Sequence, residues 1–218
     1  MKRDLFVADI DGFIYDTSER AYLSSLKMGL NISRLDASGV DPRNPKFRYI
    51  DFDRYYDIFD RPDHAETDVP MPYAGYVLRS LRSKGLEIAY VSVRPQGEKK
   101  GMEKATKKCF KRDGFPDPDE DSGAHLILRP PYVTGHDGRK TKKLLVYILT
   151  KAFSVVAGGG DTPGDSRAYL DNGIPALIVP SFQFGFGKDD FLEETVFLPD
   201  IVEVKNFVEK NILDKRAH

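Results

Sequence analysis

The sequence predicts an α/β fold with a doubly wound, mainly parallel sheet and a small helical insertion after the first strand. Short apolar runs that lack strict alternation are typical of strands covered on both faces. Amphipathic stretches separate these runs, and regular alternation of strand and helix indicates a parallel sheet. One long segment, residues 17–69, interrupts that alternation and predicts the insertion.

The predicted strands are short runs of Val, Ile, Leu and Ala. They are Leu5–Ala8, Leu86–Val93, His125–Leu128, Ser154–Ala157 and Ala176–Val179. The predicted helices carry apolar residues three and four positions apart, which places those residues on one face. They are Thr17–Gly29, Tyr73–Lys84, Lys99–Phe110, Lys142–Phe153, Ser166–Asn172 and Ile201–Ile212. In the first helix, we expect Tyr22, Leu23 and Leu26 to form the inner face.

The interruption divides the chain into two expected units. Residues 1–16 and 70–218 would form the core, and residues 17–69 would form a small cap over the edge of the sheet. The alternative is an ordinary long connection. In open α/β sheets, ligands bind at the carboxyl ends of the strands, so the residues after each predicted strand are the candidates for chemistry.

Composition limits the class of protein. The chain has 218 residues, of which 40% are hydrophobic and 31% charged, with a net charge of −1, so no overall field attracts nucleic acid or a membrane surface. The single cysteine, Cys109, excludes an intrachain disulfide and a cysteine-cluster zinc site. No apolar run approaches the roughly 18 residues of a membrane helix. We therefore expect a cytoplasmic protein that does not enter membranes, and its oligomeric state is not predicted.

Two carboxylates, Asp9 and Asp11, follow the first predicted strand, and Gly12 comes next. Carboxylates held close together repel, and burial strengthens the repulsion. Mg²⁺ prefers hard oxygen ligands and would relieve it. Gly12 permits a sharp turn that lets both acids face one ligand. The pattern alone also fits a surface turn.

Polar residues follow the other predicted strands as well. Ser92 and Arg94 lie at the end of the second strand, where a hydroxyl and a guanidinium would bind phosphate oxygens. A basic run, Arg139–Lys143, begins the helix before the fourth strand and would supply an ammonium to a phosphate. Asp161 and Asp165 follow the glycine run after the fourth strand, and Asp165 also fits a simple helix cap.

In this order of acid pair, hydroxyl, lysine and acid pair, the sequence resembles the haloacid dehalogenase superfamily of phosphatases. The matching stretches are Leu5–Thr17, Ile88–Pro95, Lys140–Lys143 and Val155–Val179. Within the superfamily, Val91–Pro95 and Leu126–Pro130 ahead of Asp137 resemble the acid-phosphatase and polynucleotide-phosphatase-like branch. The resemblance implies a Rossmann-like core and a Mg²⁺-dependent phosphohydrolase that acts on a small phosphorylated substrate.

The resemblance also implies roles for individual residues. Asp9 would be the nucleophile that forms an aspartyl-phosphate, and Asp11 would be the general acid and base. Ser92 would bind the transferring group together with Lys142, for which Lys140 and Lys143 remain alternatives. Further expected contacts to the substrate are Gly12, Arg94 and Lys143. The expected metal ligands are Asp9, the main-chain carbonyl of Asp11, Asp161 and Asp165.

Two further expectations concern the surroundings of the acid pair. Acidic neighbours around Asp11 would raise its pKa, which is the direction that a general acid needs. Phe13 stands where the family usually has threonine or valine, and we expect it to contact the substrate or the cap.

Other functions remain open at this point. A phosphomutase, a phosphonatase or a dehalogenase would use the same scaffold, although a dehalogenase usually lacks the second acid, here Asp11. A Mg²⁺-binding regulatory or interaction domain is the alternative outside enzymes. A nucleic-acid end as substrate would use a basic segment and aromatic rings for stacking. The residues concerned are Lys99, Lys100, Lys104, Lys107, Lys108, Lys111, Arg112, Phe47, Phe52, Tyr55 and Tyr56.

Overall fold

A computed structural model describes residues 2–40, 45–97, 101–131, 133, 138–180 and 186–216. Its main sheet has six parallel strands in the order β5-β4-β1-β6-β7-β8. The strands of this sheet are β1 (Asp4–Asp9), β4 (Glu87–Pro95), β5 (Ala124–Arg129), β6 (Ser154–Gly160), β7 (Ala176–Ile178) and β8 (Val196–Phe197). The predicted doubly wound α/β fold is thus confirmed, and β8 is an edge strand that the sequence pattern did not predict.

Helices cover both faces of this sheet. They are α5 (Ala74–Ser83), α6 (Met102–Asp113), α7 (Gly138–Ala152), α8 (Pro163–Leu170) and α9 (Ile201–Val208). Helices α5, α6 and α9 contribute to one apolar cluster, whereas α7 and α8 contribute to the other. The central strand β1 supplies side chains to both clusters, because successive residues of a strand point to opposite faces.

The alternation is visible in β1 itself. Phe6 and Ala8 lie in the first cluster, while Leu5 and Val7 lie in the second, and none of the four is exposed. Burial on both faces explains why the sequence of this strand is continuously apolar rather than alternating. It also places the end of β1 in the middle of the sheet, between β4 and β6.

The segment after β1 leaves and re-enters the core through a short antiparallel ribbon. This ribbon joins β2 (Tyr15–Asp16) to β3 (Val69–Pro70). Between them lie α1 (Ser18–Lys27), α2 (Arg34–Ala37), α3 (Phe52–Phe59) and α4 (Pro62–Ala65). This helical segment has an apolar cluster of its own, centred on Val40, Phe47 and Tyr55.

Helix α1 buries a different face from the one expected. Its buried residues are Arg20, Ala21, Ser24 and Ser25, whereas Leu26 is 47% exposed. The small side chains let α1 lie close to its neighbours, and the Ser24 and Ser25 hydroxyls donate to main-chain carbonyls one turn earlier. The apolar periodicity was therefore a wrong guide here, because a buried arginine and small residues form the inner face.

None of the helices in the described parts of the chain is long and apolar enough to cross a membrane.

Candidate active site

The carboxyl ends of three neighbouring strands bring the predicted acids together. In the sheet, Asp9 is level with Val91 of β4, and Ala8 is level with Gly159 of β6. Ser92 comes one residue after Val91, and Asp161 comes two residues after Gly159, so both reach the same edge as Asp9. Parallel strands place their carboxyl ends on one side, which is the reason that residues far apart in sequence meet here.

Three acids and one lysine form a buried group at this edge, which we call the acid–lysine cluster. Carboxylate oxygens of Asp9, Asp161 and Asp165 lie within 4.8 Å of one another, and no more than 3% of any of these residues is exposed. The Lys142 Nζ atom donates to Oδ1 of Asp9 at 2.6 Å and also to Oδ1 of Asp165. The cluster therefore holds three acids against one ammonium group.

This excess of carboxylates shifts the protonation of the cluster. Burial, followed by the nearby Asp165 carboxylate, raises the pKa of Asp9 to about 7. The same two causes raise the pKa of Asp161 well above its usual range. Burial opposes the charge of Lys142, but Asp165 and Asp9 outweigh this effect and raise its pKa. A divalent cation would favour the ionised form of these acids.

Asp161 provides the structural test of whether a cation fits this cluster. Both of its carboxylate oxygens are buried, and they find no hydrogen-bond donor within the described residues. A buried acceptor without a partner is unfavourable, and a group that binds it removes the penalty. The donor set of carboxylate oxygens suits a hard cation such as Mg²⁺. The chemistry of the cluster thus fits a divalent metal ion.

Gly12 contributes to the cluster through its lack of a side chain. A Cβ atom at this position would lie 2.1 Å from Oδ2 of Asp161, and the backbone has φ of +90°. Only glycine meets both conditions at low strain. Gly12 was expected to contact the substrate, but the observed relationship is the space that it leaves for a carboxylate.

The glycine run of β6 makes room for three larger side chains. A Cβ at Gly158 would clash with the Tyr169 ring at 2.4 Å, and one at Gly159 would clash with Phe13 at 2.3 Å. A Cβ at Gly160 would lie 2.5 Å from the Cβ of Asp165. The run is thus a set of close approaches between strand and side chains rather than a loop that cradles phosphate.

Phe13 is one of these three side chains, which corrects the role expected for it. It is only 2% exposed and belongs to the apolar cluster beside Phe6 and Ile14. The expectation that Phe13 contacts a substrate or the cap is therefore wrong. Its ring fills the space over Gly159 instead.

Asp165 combines a cap with its place in the cluster. Its Oδ2 accepts from the Thr162 main-chain N–H at 3.0 Å and from the Thr162 hydroxyl at 2.7 Å, while Thr162 caps the Asp165 N–H in return. This reciprocal capping fixes the start of α8. Its Oδ1 accepts from Lys142. The capping and cluster interpretations of Asp165 are thus compatible.

Asp11 faces away from the other acids and towards two arginines. Oδ1 of Asp11 accepts from Arg20 and, at 2.7 Å, from Nη2 of Arg94, while Oδ2 lies 3.1 Å from Nε of Arg94. Burial would raise the pKa of Asp11, but the two guanidinium groups outweigh burial and hold it below its usual range. The expectation of a raised pKa was wrong, because two guanidinium groups contact this carboxylate and their effect exceeds that of burial.

Ser92 and Arg94 also contact Asp11. The Ser92 hydroxyl donates to Oδ2 of Asp11 at 3.1 Å. Arg94 is 2% exposed, and its Nη1 donates to Thr106 at 2.9 Å, so all three of its guanidinium nitrogens are engaged. The expected contact of Arg94 with a substrate phosphate does not fit this arrangement. Arg94 acts on Asp11 instead.

Among the alternative lysines, only Lys142 lies in the acid–lysine cluster as the described residues define it. Lys143 is exposed and donates to Asp171 at 2.7 Å, so its expected contact with the substrate is not supported. Lys140 is also exposed on α7. Asp137, which contributed to the proposed branch of the family, lies outside the described residues.

The basic segment expected to bind nucleic acid is balanced by acids. Its described lysines line a surface cleft together with acidic side chains: Lys104, Lys107, Lys108 and Lys111 with Glu103, Asp117, Asp119 and Glu120. Lys107 pairs with Asp119 at 2.8 Å, and Lys111 pairs with Glu120 at 2.6 Å. Lys99 and Lys100 lie outside the described residues.

The aromatic residues expected to stack on bases are occupied by one another. Phe47 and Tyr55 are buried, and Phe52 and Tyr56 pack against the same cluster. The stacking role is therefore corrected, because these rings form the apolar centre of the helical segment.

Two residues of the site were missed by sequence reasoning, namely Arg20 and Asp68. Arg20 is buried on α1, and Asp68 is 2% exposed just before β3. A signal was present for Arg20, since it lies among the small residues Ala21, Ser24 and Ser25 on one helix face. No local pattern marks Asp68, because only the fold brings it to Arg20 and Arg94.

Comparison with known proteins supports the fold at low sequence identity. No family model matches the sequence, and no curated protein matches it. A predicted phosphatase from Clostridium acetobutylicum is 13% identical, with a TM-score of 0.66 over 96% of this chain and 100% of the other. A haloacid dehalogenase-like hydrolase from Streptococcus pneumoniae is 13% identical, with a TM-score of 0.64 over 94% and 98% of the two chains.

A third similar structure bears a different kind of name. It is protein tyrosine kinase A from Mycobacterium tuberculosis, with 15% identity and a TM-score of 0.60 over 94% of this chain and 97% of the other. One fold supports several activities, so likeness at this identity shows the fold alone. With TM-scores of 0.66 and 0.64 and near-complete coverage of both chains, this chain has the fold of haloacid dehalogenase-like hydrolases.

Proposed function

We propose that the protein is a Mg²⁺-dependent phosphomonoesterase with Asp9 as its nucleophile. The observation that carries this proposal is the acid–lysine cluster, in which Asp9, Asp161 and Asp165 lie within 4.8 Å of one another around Lys142. Its position at the carboxyl edge of a parallel sheet is where such folds bind ligands. The names of the structural neighbours favour hydrolysis of a phosphate ester.

The metal would be held by Asp9, Asp161 and Asp165, together with the main-chain carbonyl of Asp11. The unpartnered oxygens of Asp161 support this assignment. A bound Mg²⁺ would supply positive charge opposite the non-bridging oxygens of the phosphoryl group. Lys142 supplies a second cation from the protein itself and holds one oxygen of Asp9, so that the other remains to attack phosphorus.

The reaction has two steps in which every proton is accounted for. In the first, an Asp9 oxygen bonds to phosphorus, the bond to the leaving oxygen breaks, and the carboxyl proton of Asp11 passes to that oxygen. In the second, water bonds to phosphorus, its proton passes to the Asp11 carboxylate, and the bond from phosphorus to Asp9 breaks. Splitting the transfer in this way lets one carboxyl group serve both steps.

In the free protein, Arg20 and Arg94 lower the pKa of Asp11, so Asp11 must take a proton from solvent water when the substrate binds, before the first step uses it. After that step Asp11 is again a carboxylate, the form that accepts a proton from water in the second step. An arriving phosphoryl group brings negative charge beside Asp11, and like charge raises the pKa of a carboxyl group. The substrate itself would therefore help to load the proton that the first step uses.

Helices α1 to α4 would act as a cap that selects the substrate. They join the core through the β2–β3 ribbon, directly after the acid pair, and they contribute Arg20 to the surroundings of Asp11. A small phosphorylated molecule fits this proposal better than a nucleic-acid end, since the α6 lysines that the structure describes line their cleft together with acids.

Acid-quench trapping tests the nucleophile directly. Wild-type protein given Mg²⁺ and a phosphomonoester should yield a covalent phosphoryl adduct on Asp9 by mass spectrometry, and a chelator should abolish turnover until Mg²⁺ is restored. Asp9→Asn should lose both adduct and turnover while its circular dichroism is unchanged. Asp171→Asn is the matched control, because Asp171 is exposed and its carboxylate pairs with Lys143, away from the acid–lysine cluster. Full activity in Asp9→Asn would disprove the assignment.

One observation favours a second candidate, a Mg²⁺- and phosphate-binding module with little turnover. The pairing of Asp11 with two arginines keeps its carboxylate occupied. Such a module would bind Mg²⁺ and inorganic phosphate by calorimetry, yet it would form no adduct on Asp9 with any phosphomonoester. The trapping experiment separates the two candidates.

A further inference from the structure

Asp68 lies where the chain returns from the helical segment to the core. It is 2% exposed, and each of its carboxylate oxygens faces a different arginine. Oδ2 of Asp68 accepts from Nη2 of Arg94 at 2.6 Å, and Oδ1 lies 3.1 Å from Nε of Arg20. Neither oxygen belongs to the acid–lysine cluster that the described residues form.

The same two arginines hold Asp11, so the four side chains form one buried network. Both arginine side chains are at most 1% exposed, and each pairs with Asp11 as well as with Asp68. Two cations and two anions make the network neutral, which is the condition under which buried charges are tolerated. The planar guanidinium fork fixes the direction of a carboxylate more strictly than a point charge does.

The main chain of Asp68 is held by a further arginine. Its main-chain carbonyl accepts from Nη2 of Arg112 at 2.8 Å. Arg112 pairs with Asp113, which accepts from the Tyr15 hydroxyl at 2.9 Å. The Arg20 guanidinium stacks on the Phe59 ring, whose centre lies 4.2 Å from the guanidinium carbon. The arginines that touch Asp11 are therefore fixed both by the core and by the helical segment.

We propose that Asp68 and Arg20 are positioning residues, which orient the Asp11 carboxyl group towards the leaving oxygen of the substrate. The inference rests on the proposed function, since it assumes that Asp11 handles the leaving-group proton. Arg94 binds both oxygens of Asp11 from the core, and Arg20 adds a second guanidinium to Oδ1 from the helical segment, so the two arginines together restrict the carboxylate. Asp68 keeps both guanidinium groups in the places from which they hold both oxygens of Asp11.

This role predicts a selective effect on substrates. A group that positions a general acid matters most when the leaving oxygen needs a proton, and little when the leaving group is already a stable anion. Loss of Asp68 should therefore slow the hydrolysis of phenyl phosphate much more than that of 2,4-dinitrophenyl phosphate. A merely structural residue would slow both alike.

The test measures kcat/KM for a series of aryl phosphates in wild type, Asp68→Asn and Arg20→Lys. We expect both variants to lose about tenfold or more on phenyl phosphate, with a much smaller loss on 2,4-dinitrophenyl phosphate, so that the dependence on leaving-group basicity steepens. Arg20→Lys keeps the charge and removes the fork, which guards against a folding failure in Asp68→Asn. Asp63→Asn, an exposed acid of the same segment paired with Arg61, should match wild type.

A double mutant decides whether the effect passes through Asp11. If Asp68 acts by positioning Asp11, adding Asp68→Asn to Asp11→Asn should cause no further loss on phenyl phosphate. An equal loss on all aryl phosphates, or a further loss in the double mutant, would overturn the inference while leaving the phosphatase intact. A wild-type protein that hydrolyses no phosphomonoester and forms no adduct on Asp9 would overturn the proposed function, and the inference with it.

Discussion

Gly12 lies directly against Asp161, so that a Cβ on the glycine would be 2.1 Å from a carboxylate oxygen. Gly12→Ala should therefore displace Asp161 and abolish the stabilisation that Mg²⁺ gives to the folded protein, because a ligand stabilises only the state that binds it. The measurement is the shift in unfolding temperature on adding Mg²⁺.

Gly173→Ala is the matched control for this change. Gly173 also has a positive φ, +70°, but nothing lies within 4 Å of its would-be Cβ. Gly173→Ala should lower the free energy of unfolding by only about 1 kcal/mol through backbone strain, and Mg²⁺ should raise its unfolding temperature as much as it does in wild type. A normal Mg²⁺ response in Gly12→Ala would contradict the steric argument.

Lys142 and Lys143 are neighbours on α7 with opposite surroundings. Lys142 is buried between Asp9 and Asp165, whereas Lys143 makes an exposed pair with Asp171. Removing one partner of a buried pair is expensive, so Lys142→Met should lower the free energy of unfolding of the metal-free protein by about 3 kcal/mol. Lys143→Met should change it by less than about 1 kcal/mol. Urea unfolding of both variants in the presence of a chelator checks the difference.

The acid–lysine cluster should make the stability of the metal-free protein depend on pH. The pKa of Asp9 is raised from 3.8 to about 7, chiefly by burial and then by Asp165. The folded protein then binds this proton more tightly than the unfolded chain does. The contribution of Asp9 to the free energy of unfolding is therefore fully present below about pH 4 and is lost as the pH rises to about 7. Urea unfolding with a chelator across that window measures the slope.

Two additions test the origin of that slope. Mg²⁺ should reverse the loss at neutral pH, since it binds the ionised acids. Asp161→Asn should flatten the slope, because it removes a second carboxyl group whose own pKa is raised by burial and by Asp165. A metal-free wild type whose stability rises over the same window would contradict the burial of these carboxylates.

Substitutions at Phe13 and Gly159 should have coupled effects on the free energy of unfolding. A Cβ at Gly159 would lie 2.3 Å from the Phe13 ring, so Gly159→Ala should overpack the core and destabilise the protein by about 1–3 kcal/mol. Replacing the ring by the smaller leucine side chain, in the double variant Gly159→Ala with Phe13→Leu, should recover part of the lost stability. Additive losses in the double variant would argue against direct contact.

The sequence was a good guide to the sheet and to the acid–lysine cluster for a shared physical reason. Strands buried on both faces, such as Leu5–Ala8, must be continuously apolar, and the polar residues that follow them must reach the carboxyl edge. Asp9 and Asp161 follow from these two constraints, and Asp165 lies four residues further along the chain. Lys142 lies on a helix instead, and it was assigned from the family resemblance with Lys140 and Lys143 as alternatives.

The surroundings of Asp11 could not be predicted in this way. Its partners Arg20 and Asp68 lie at the two ends of an insertion whose path no periodicity encodes. The small residues beside Arg20 on α1 were a signal that its helix face is buried, but an arginine is usually exposed unless the fold supplies partner acids. The predicted direction of the pKa shift at Asp11 was therefore wrong, because the prediction did not include its arginine neighbours.

The narrow ribbon through which helices α1 to α4 leave the core has a consequence for protein engineering. Since the chain enters and leaves this segment through the paired strands Tyr15–Asp16 and Val69–Pro70, the intervening helices are a natural unit to exchange between related scaffolds. A graft that omitted the guanidinium of Arg20 or the carboxylate of Asp68 would leave Arg94 and Asp11 buried without one of their charged partners. A successful chimaera must therefore carry both side chains along with its new helices.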